Sequence, residues 1–167
     1  MVQSGYRVLV VMRHAKTEEA VNGDRLRELT ARGRSDAEAA GRWLAEQDLQ
    51  IELVLTSPAR RALATAELVV AQLADEPELR VVEELYGASA EEVLRLVAAV
   101  EEDKRSVLVV GHNPTMEEVG HVLPGGMPDP SADQLPTAGI VVLSLDADWT
   151  RLAAGSAELV QRHVGRG

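Results

Sequence analysis

Tyr6-Arg7-Val8-Leu9-Val10-Val11-Met12-Arg13-His14 decides how the chain is read. An apolar run of this length, continuous rather than alternating, predicts a strand buried on both faces, as in the parallel sheets of α/β proteins. It ends abruptly in two chemistry-bearing side chains, Arg13 and His14. The run is too short for a signal-peptide core and carries no small-residue cleavage site, so a cytoplasmic protein is expected.

Outward from this strand, apolar runs alternate with helical patterns. Thr30 is placed to cap a helix running to about Gln47, with Ala37, Ala40, Trp43 and Leu44 on one face. Ile51–Thr56 reads as a second strand, and Ser57-Pro58 as N-cap and first residue of a helix reaching about Ala74. Leu79–Val82 forms a short third strand. Ser89 and Glu92 make a capping-box pattern ahead of Val93, Leu94, Leu96, Val97 and Val100. Ser106–Val110 is a fourth buried strand, followed by Asn113-Pro114 as another cap and first-turn proline. A Pro/Gly-rich loop spans Pro124 to Pro136, and Ile140–Leu145 is a fifth strand with a hairpin partner expected around Trp149 to Ala154. The expected fold class is α/β: a three-layer α/β/α sandwich around a mostly parallel sheet, in one domain over residues 1–167.

Composition narrows the chemistry. With no cysteine, disulfides, thiolate catalysis and Cys-based zinc sites are excluded. The net charge of −10 argues against nucleic-acid and membrane-surface partners, both of which need a positive field. Fifteen of the 17 basic residues are arginine, leaving Lys16 and Lys104, so a lone arginine says little unless its placement does.

Placement does speak here. Ligands of such sheets bind at the carboxyl ends of the strands. The first strand ends in Arg13-His14, the second in Thr56-Ser57 with Arg60 and Arg61 just beyond, the fourth in Gly111-His112-Asn113. Two helix N-termini are expected at the same edge. Cationic and imidazole groups converging there describe a phosphate or carboxylate site. His121 and His163 have no such pattern and read as structural or surface residues.

The motifs also resemble a known family. Met12-Arg13-His14-Ala15 resembles the Arg-His-Gly signature of the histidine phosphatase superfamily, which includes the phosphoglycerate mutases. Thr56-Ser57-Pro58-Ala59-Arg60-Arg61-Ala62 through Ala66 resembles its second motif, in a register that selects Arg61 over Arg60. Val110-Gly111-His112-Asn113-Pro114 resembles the segment with the second histidine, and Leu29-Thr30 through Gly33 the opening of the first helix. Pro136-Thr137-Ala138-Gly139-Ile140 and the short length are most similar to the small SixA-type phosphohistidine phosphatases. Ala15 stands where the family usually has Gly, which implies a negative φ at that position.

The resemblance implies a phosphoglycerate mutase-like fold and a phosphatase that needs no cofactor or metal. His14 would be the nucleophile, forming a phosphohistidine, with Arg13, Arg61 and His112 holding the phosphoryl oxygens. Arg27, Asn22, Ser57, Asn113 and Thr137 are candidate phosphate or substrate contacts. Glu83 is the candidate general acid, with Glu84 the alternative. The implied substrate is a phosphorylated protein, such as a histidine phosphotransfer domain. A small-molecule phosphomonoesterase (of a sugar phosphate or nucleotide) and a catalytically silent phosphate-binding module remain the alternatives.

Overall fold

The computed structural model describes residues 5–127, 129–132 and 134–167. The opening apolar run forms β1 (Arg7–Arg13), every residue of which is buried except the half-buried Arg13. It lies inside a six-stranded sheet, where the parallel part meets the antiparallel part. The other strands are β2 (Leu53–Thr56), β3 (Glu78–Val81), β4 (Ser106–Gly111), β5 (Gly139–Leu145) and β6 (Glu158–Val164), in spatial order β3-β2-β4-β1-β5-β6. The first four elements of that order run parallel, while β5 pairs antiparallel with β1 and β6 antiparallel with β5.

Alternation along β1 sends its side chains to two separate cores. Val8, Val10 and Met12 pack with Ala37, Ala40 and Leu44 of α1 (Ala31–Glu46) and Ala62, Ala66 and Val69 of α2 (Arg60–Val70). Leu9 and Val11 pack on the opposite face with Val93 and Val97 of α3 (Ala90–Ala98) and Met116 and Val119 of α4 (Thr115–Val122). Each fully buried Val or Leu contributes about 1.5–3 kcal/mol. The expected three-layer arrangement follows from these two clusters. Thr30 caps α1 by accepting from the Gly33 N–H at 2.9 Å, and Ser89 and Glu92 complete the capping box of α3.

Several local expectations need correction. The helix after β2 starts at Arg60, with Ala59 as its cap residue. Ser57 stays with the sheet, its N–H donating to Val110 O at 3.2 Å, so it cannot open the helix. The helix ends at Val70, short of Ala74. Likewise α4 starts at Thr115 behind Pro114, after a cis Asn113–Pro114 peptide. The segment expected to pair with β5 as a hairpin instead forms a 3-10 turn at Trp149–Arg151, capped by Asp148 accepting from the Thr150 N–H. Trp149 is buried there, its indole N–H donating to Lys104 O at 2.7 Å. The true partner is β6, an exposed to half-exposed edge strand whose sequence, Glu158-Leu159-Val160-Gln161-Arg162-His163-Val164, carries no continuous apolar run. Pro128 and Asp133, within the expected 124–136 loop, lie outside the described residues.

Chain direction sets the site. After β1 the chain crosses to α1 on one face, and after β4 it turns into α4 on the other. The register pairs Arg13 with Gly111, so the residues that follow, His14 and His112, leave adjacent parallel strands side by side. This is the topological switch point where open α/β sheets bind ligands.

Candidate active site

His14 is 8 % exposed and is held by three backbone contacts. Its N–H donates to Gly111 O at 3.0 Å, its carbonyl accepts from Ala138 N at 3.1 Å, and its ring Nδ1 lies 2.8 Å from Ala15 O. A carbonyl can only accept, so Nδ1 carries the proton and Nε2 keeps its lone pair. Burial is the largest influence on the ring and pushes its pKa down to about 4. The Ala15 carbonyl opposes that, while His112, Arg61 and Arg13 add to it. At neutral pH His14 is therefore an uncharged imidazole with a free nitrogen nucleophile.

The adjoining loop is built to keep it there. Ala15 is buried, and its N–H donates to Thr65 Oγ1 at 3.0 Å; that hydroxyl in turn donates to Arg61 O at 2.7 Å. One threonine thus links the nucleophile loop to the first turn of α2. Ala15 is not among the residues with positive φ, in keeping with the expectation from its side chain. Ala138 is, at φ 57, pinned by its bonds to His14 O and Gly165 N.

The sequence brought four side chains to this edge, and the structure gathers all four. The rings of His14 and His112 lie 5.4 Å apart. Arg61 is only 6 % exposed, whereas Arg60 points away to an ion pair with Glu28 at 3.1 Å. Arg13 is half-buried and donates from Nη1 to Leu135 O at 3.2 Å. Burial lowers the Arg13 pKa and Glu117 opposes that, yet a guanidinium stays charged in proteins. His112 Nε2 lies 2.8 Å from Ser57 Oγ, and the ring pKa is pushed down to about 4 by burial and by Arg61, with Asp24 opposing and Arg13 adding. In the free site His112 is therefore neutral rather than cationic.

Three nitrogens of this group, Arg13 Nε, Arg61 Nε and His112 Nδ1, are buried without a protein partner. Buried polar groups nearly always find one. All three belong to residues that act electrostatically on the His14 ring, and unpartnered nitrogens there suit an anion that accepts several hydrogen bonds.

The remaining candidates are placed more variously. Ser57 Oγ accepts from the Ala59 N–H at 3.3 Å and meets His112. Asn113 Nδ2 donates to Leu135 O at 2.8 Å, the same carbonyl that receives Arg13, and Glu117 Oε2 accepts from the Leu135 N–H at 3.0 Å. Thr137 offers its carbonyl to Arg166 Nη1 at 3.0 Å. Arg27 is tied to Glu18 O, Thr17 Oγ1 and Asp24 Oδ1. Asn22 is exposed on that loop. Glu83 is exposed and pairs with Arg25 at 2.6 Å; Glu84 is exposed beside it.

Two residues that sequence reasoning missed belong to the site. Asp24 accepts from Arg61 twice, and Tyr86 donates to Asp24 Oδ2 at 2.6 Å while its ring sits edge-on to His112 at 5.7 Å. An aspartate in a charged loop and a tyrosine 62 residues later carry no shared sequence signal.

Among the described residues, no group of three or more His, Asp or Glu is placed to hold a metal ion, and no helix is long and apolar enough to cross a membrane.

Residues 9–86 match the model of the histidine phosphatase superfamily, branch 1. A solved Nakamurella multipartitia protein assigned as phosphohistidine phosphatase SixA is 34 % identical, with a TM-score of 0.85 over 97 % of this chain and 98 % of its own. A protein histidine phosphatase SixA solved with tungstate is 28 % identical, with a TM-score of 0.80 over 94 % and 96 %. The phosphohistidine phosphatase SixA of Escherichia coli K12 is 30 % identical over 138 residues, 81 % of this chain and 84 % of that protein. With that resemblance running through the fold as well as the sequence, the chain belongs to the histidine phosphatase superfamily.

Proposed function

We propose that this chain is a SixA-like protein phosphohistidine phosphatase that works through a phosphohistidine on His14. The observation that carries this reading is the 2.8 Å contact of His14 Nδ1 with Ala15 O. It assigns the ring proton to Nδ1 and leaves Nε2 its lone pair, in a site where Arg13 Nε, Arg61 Nε and His112 Nδ1 lack protein partners. Attack by Nε2 on phosphorus forms the N–P bond as the bond to the leaving nitrogen or oxygen breaks. Water then attacks the phosphohistidine, releasing inorganic phosphate and restoring Nε2. The charge spread over the phosphoryl oxygens is met by Arg13 and Arg61 through forked donors. His112 is neutral in the empty site and gains a proton, or donates from Nδ1, when the dianion arrives. Ser57 supports either state, because its hydroxyl can accept from or donate to Nε2. Asn113 acts through Leu135 O, which steadies Arg13.

A protein substrate is favoured by the surface next to the pocket. The loop whose Asp24 grips Arg61 also exposes Val21 (88 %) and Leu26 (46 %). A groove of about 450 Å3 runs there, lined by Val21, Asn22 and Leu26, by Arg27 and Arg60, and by three glutamates, Glu18, Glu19 and Glu28. An open groove that mixes apolar groups with charges of both signs suits a phosphate carried on another protein better than a small metabolite that needs enclosure. Asn22, Arg27 and Thr137 would contact that substrate. Glu83, or Glu84 beside it, would protonate an alkoxide leaving group; a phosphoramidate nitrogen depends less on such an acid. The proposed enzyme is a cytoplasmic protein whose residues 1–167 form one catalytic domain.

Hydrolysis of an aryl phosphate by wild type and His14→Ala tests the nucleophile. Full loss in the variant is expected, and surviving activity refutes the assignment. Comparing a phosphohistidine phosphotransfer protein with sugar phosphates tests the substrate; higher kcat/KM on the sugar phosphates would overturn the protein reading.

A further inference from the structure

We propose that Asp24 is a positioning residue: it grips the far end of the Arg61 guanidinium, and Tyr86 holds its carboxylate, so that the near edge of Arg61 is presented to the phosphoryl group. The inference rests on the phosphatase reading for the identity of the anion, and on geometry for the rest.

A guanidinium has five N–H bonds in one plane. Arg61 Nη1 donates to Asp24 O at 2.7 Å and Nη2 donates to Asp24 Oδ2 at 3.0 Å, so one residue engages both terminal nitrogens through its backbone and its side chain. The pair of bonds fixes the plane as well as the position of the group. What remains is Nε, buried without a partner, and the second hydrogen on each terminal nitrogen. Nε with its neighbouring Nη hydrogen forms the second fork of an arginine, and that fork is the one left for a phosphate.

Asp24 could not do this alone, being 48 % exposed on a loop. An exposed carboxylate in an ordinary surface pair gains little. Here it is fixed from three directions: Tyr86 donates to Oδ2 at 2.6 Å, Arg27 Nη1 to Oδ1 at 3.4 Å, and Arg61 from within. Arg27 is itself anchored by Thr17 Oγ1 at 2.6 Å and Glu18 O at 3.1 Å. Together these contacts hold the carboxylate ionised, at a pKa of about 2, with the Tyr86 bond the largest cause. A carboxylate so held cannot serve as a proton donor near neutral pH. It can orient a cation, and it returns negative charge to the neighbourhood of His112, whose pKa it raises against the pull of Arg61. The opposing possibility is a plug, in which Asp24 competes with phosphate for Arg61.

Asp24→Ala, Asp24→Asn and Tyr86→Phe separate the two. Inorganic phosphate affinity is measured as competitive inhibition of aryl phosphate hydrolysis and, independently of turnover, by NMR titration of the histidine rings. Loss of a charge-assisted bond predicts about 10–100-fold weaker phosphate binding in Asp24→Ala, with smaller losses in Asp24→Asn and Tyr86→Phe. The His112 pKa falls below its wild-type value in Asp24→Asn, a shift that a merely structural role for Asp24 would not produce. Should Asp24→Ala fail to fold, the other two variants carry the test. Unchanged or tighter phosphate binding in the folded variants would overturn the proposal while leaving the phosphatase reading intact. Aspartate-dependent phosphate binding by an inactive wild type would do the reverse.

Discussion

Acidification should destabilise this protein through His14 and His112. Both rings are held neutral, with pKa pushed down to about 4 from the usual 6.5, burial being the largest cause in each. In the unfolded chain both would charge as the pH falls below 6.5, while in the fold they stay neutral until about 4. The unfolded state therefore binds more protons across that window. Stability from these groups is complete above about 6.5, is lost as pH falls toward 4, and falls no further below it. At pH 5 the loss is about 2 kcal/mol for each ring, or at most about 4 kcal/mol for the two. Asp24, held near 2, titrates outside this range. Urea unfolding of wild type and of the double variant His14→Gln, His112→Gln, each at pH 7.5 and pH 5, isolates the contribution. His163, also lowered by burial, is common to both proteins and cancels. A difference between the two pH responses below about 1 kcal/mol would refute the claim that the site confines two neutral imidazoles.

Other variants probe the frame around the nucleophile. Gly33→Ala places a Cβ against Lys16 O, a backbone atom fixed by its bond to Thr30 N, so the loop after His14 must move; about 1–3 kcal/mol of stability should be lost, read as a urea midpoint, together with a fall in kcat. Ser57→Ala removes the Nε2 partner of His112 and should lower kcat/KM on an aryl phosphate by about 10-fold without changing the fold. Glu83→Gln should matter more on alkyl than on aryl phosphates if Glu83 supplies the proton; an equal effect on both would remove it as the acid and turn attention to Glu84.

The strands that build the pocket were legible because their chemistry is one-dimensional. An unbroken apolar run can only be buried, and the residue that ends it must sit at the sheet edge, which is why Arg13-His14 and Gly111-His112 could be placed before any coordinates. The choice of Arg61 over Arg60 came from motif register, and the structure separates the two plainly, one buried and one paired with Glu28. What stayed hidden depends on contacts between distant segments. Asp24 and Tyr86 meet only after the loop beyond β1 and the turn beyond β3 close over Arg61. Strand β6 was missed because an edge strand with no fully buried residue carries too little apolar signal. Ser57 was read as a helix cap for the reason that makes it useful elsewhere: its short hydroxyl can accept from Ala59 and still reach His112.

A chain with net charge −10 that receives a dianion must confine its positive potential to one spot. A buried Arg61 and a half-buried Arg13 beside two protonated histidines would crowd four cations together. The site instead carries permanent charge on Arg13 and Arg61 alone. Burial keeps both imidazoles neutral, and Asp24 offsets part of the Arg61 charge. Those choices reinforce one another. A neutral His14 has the lone pair that nucleophilic attack requires, a neutral His112 has a proton-binding position in reserve, and an oriented Arg61 gives up its terminal fork to the protein so that its buried edge is free for the substrate. The same low pKa that makes His14 a nucleophile at neutral pH also makes the folded state sensitive to acid. Function and instability here share one physical cause, the withdrawal of two imidazoles from water.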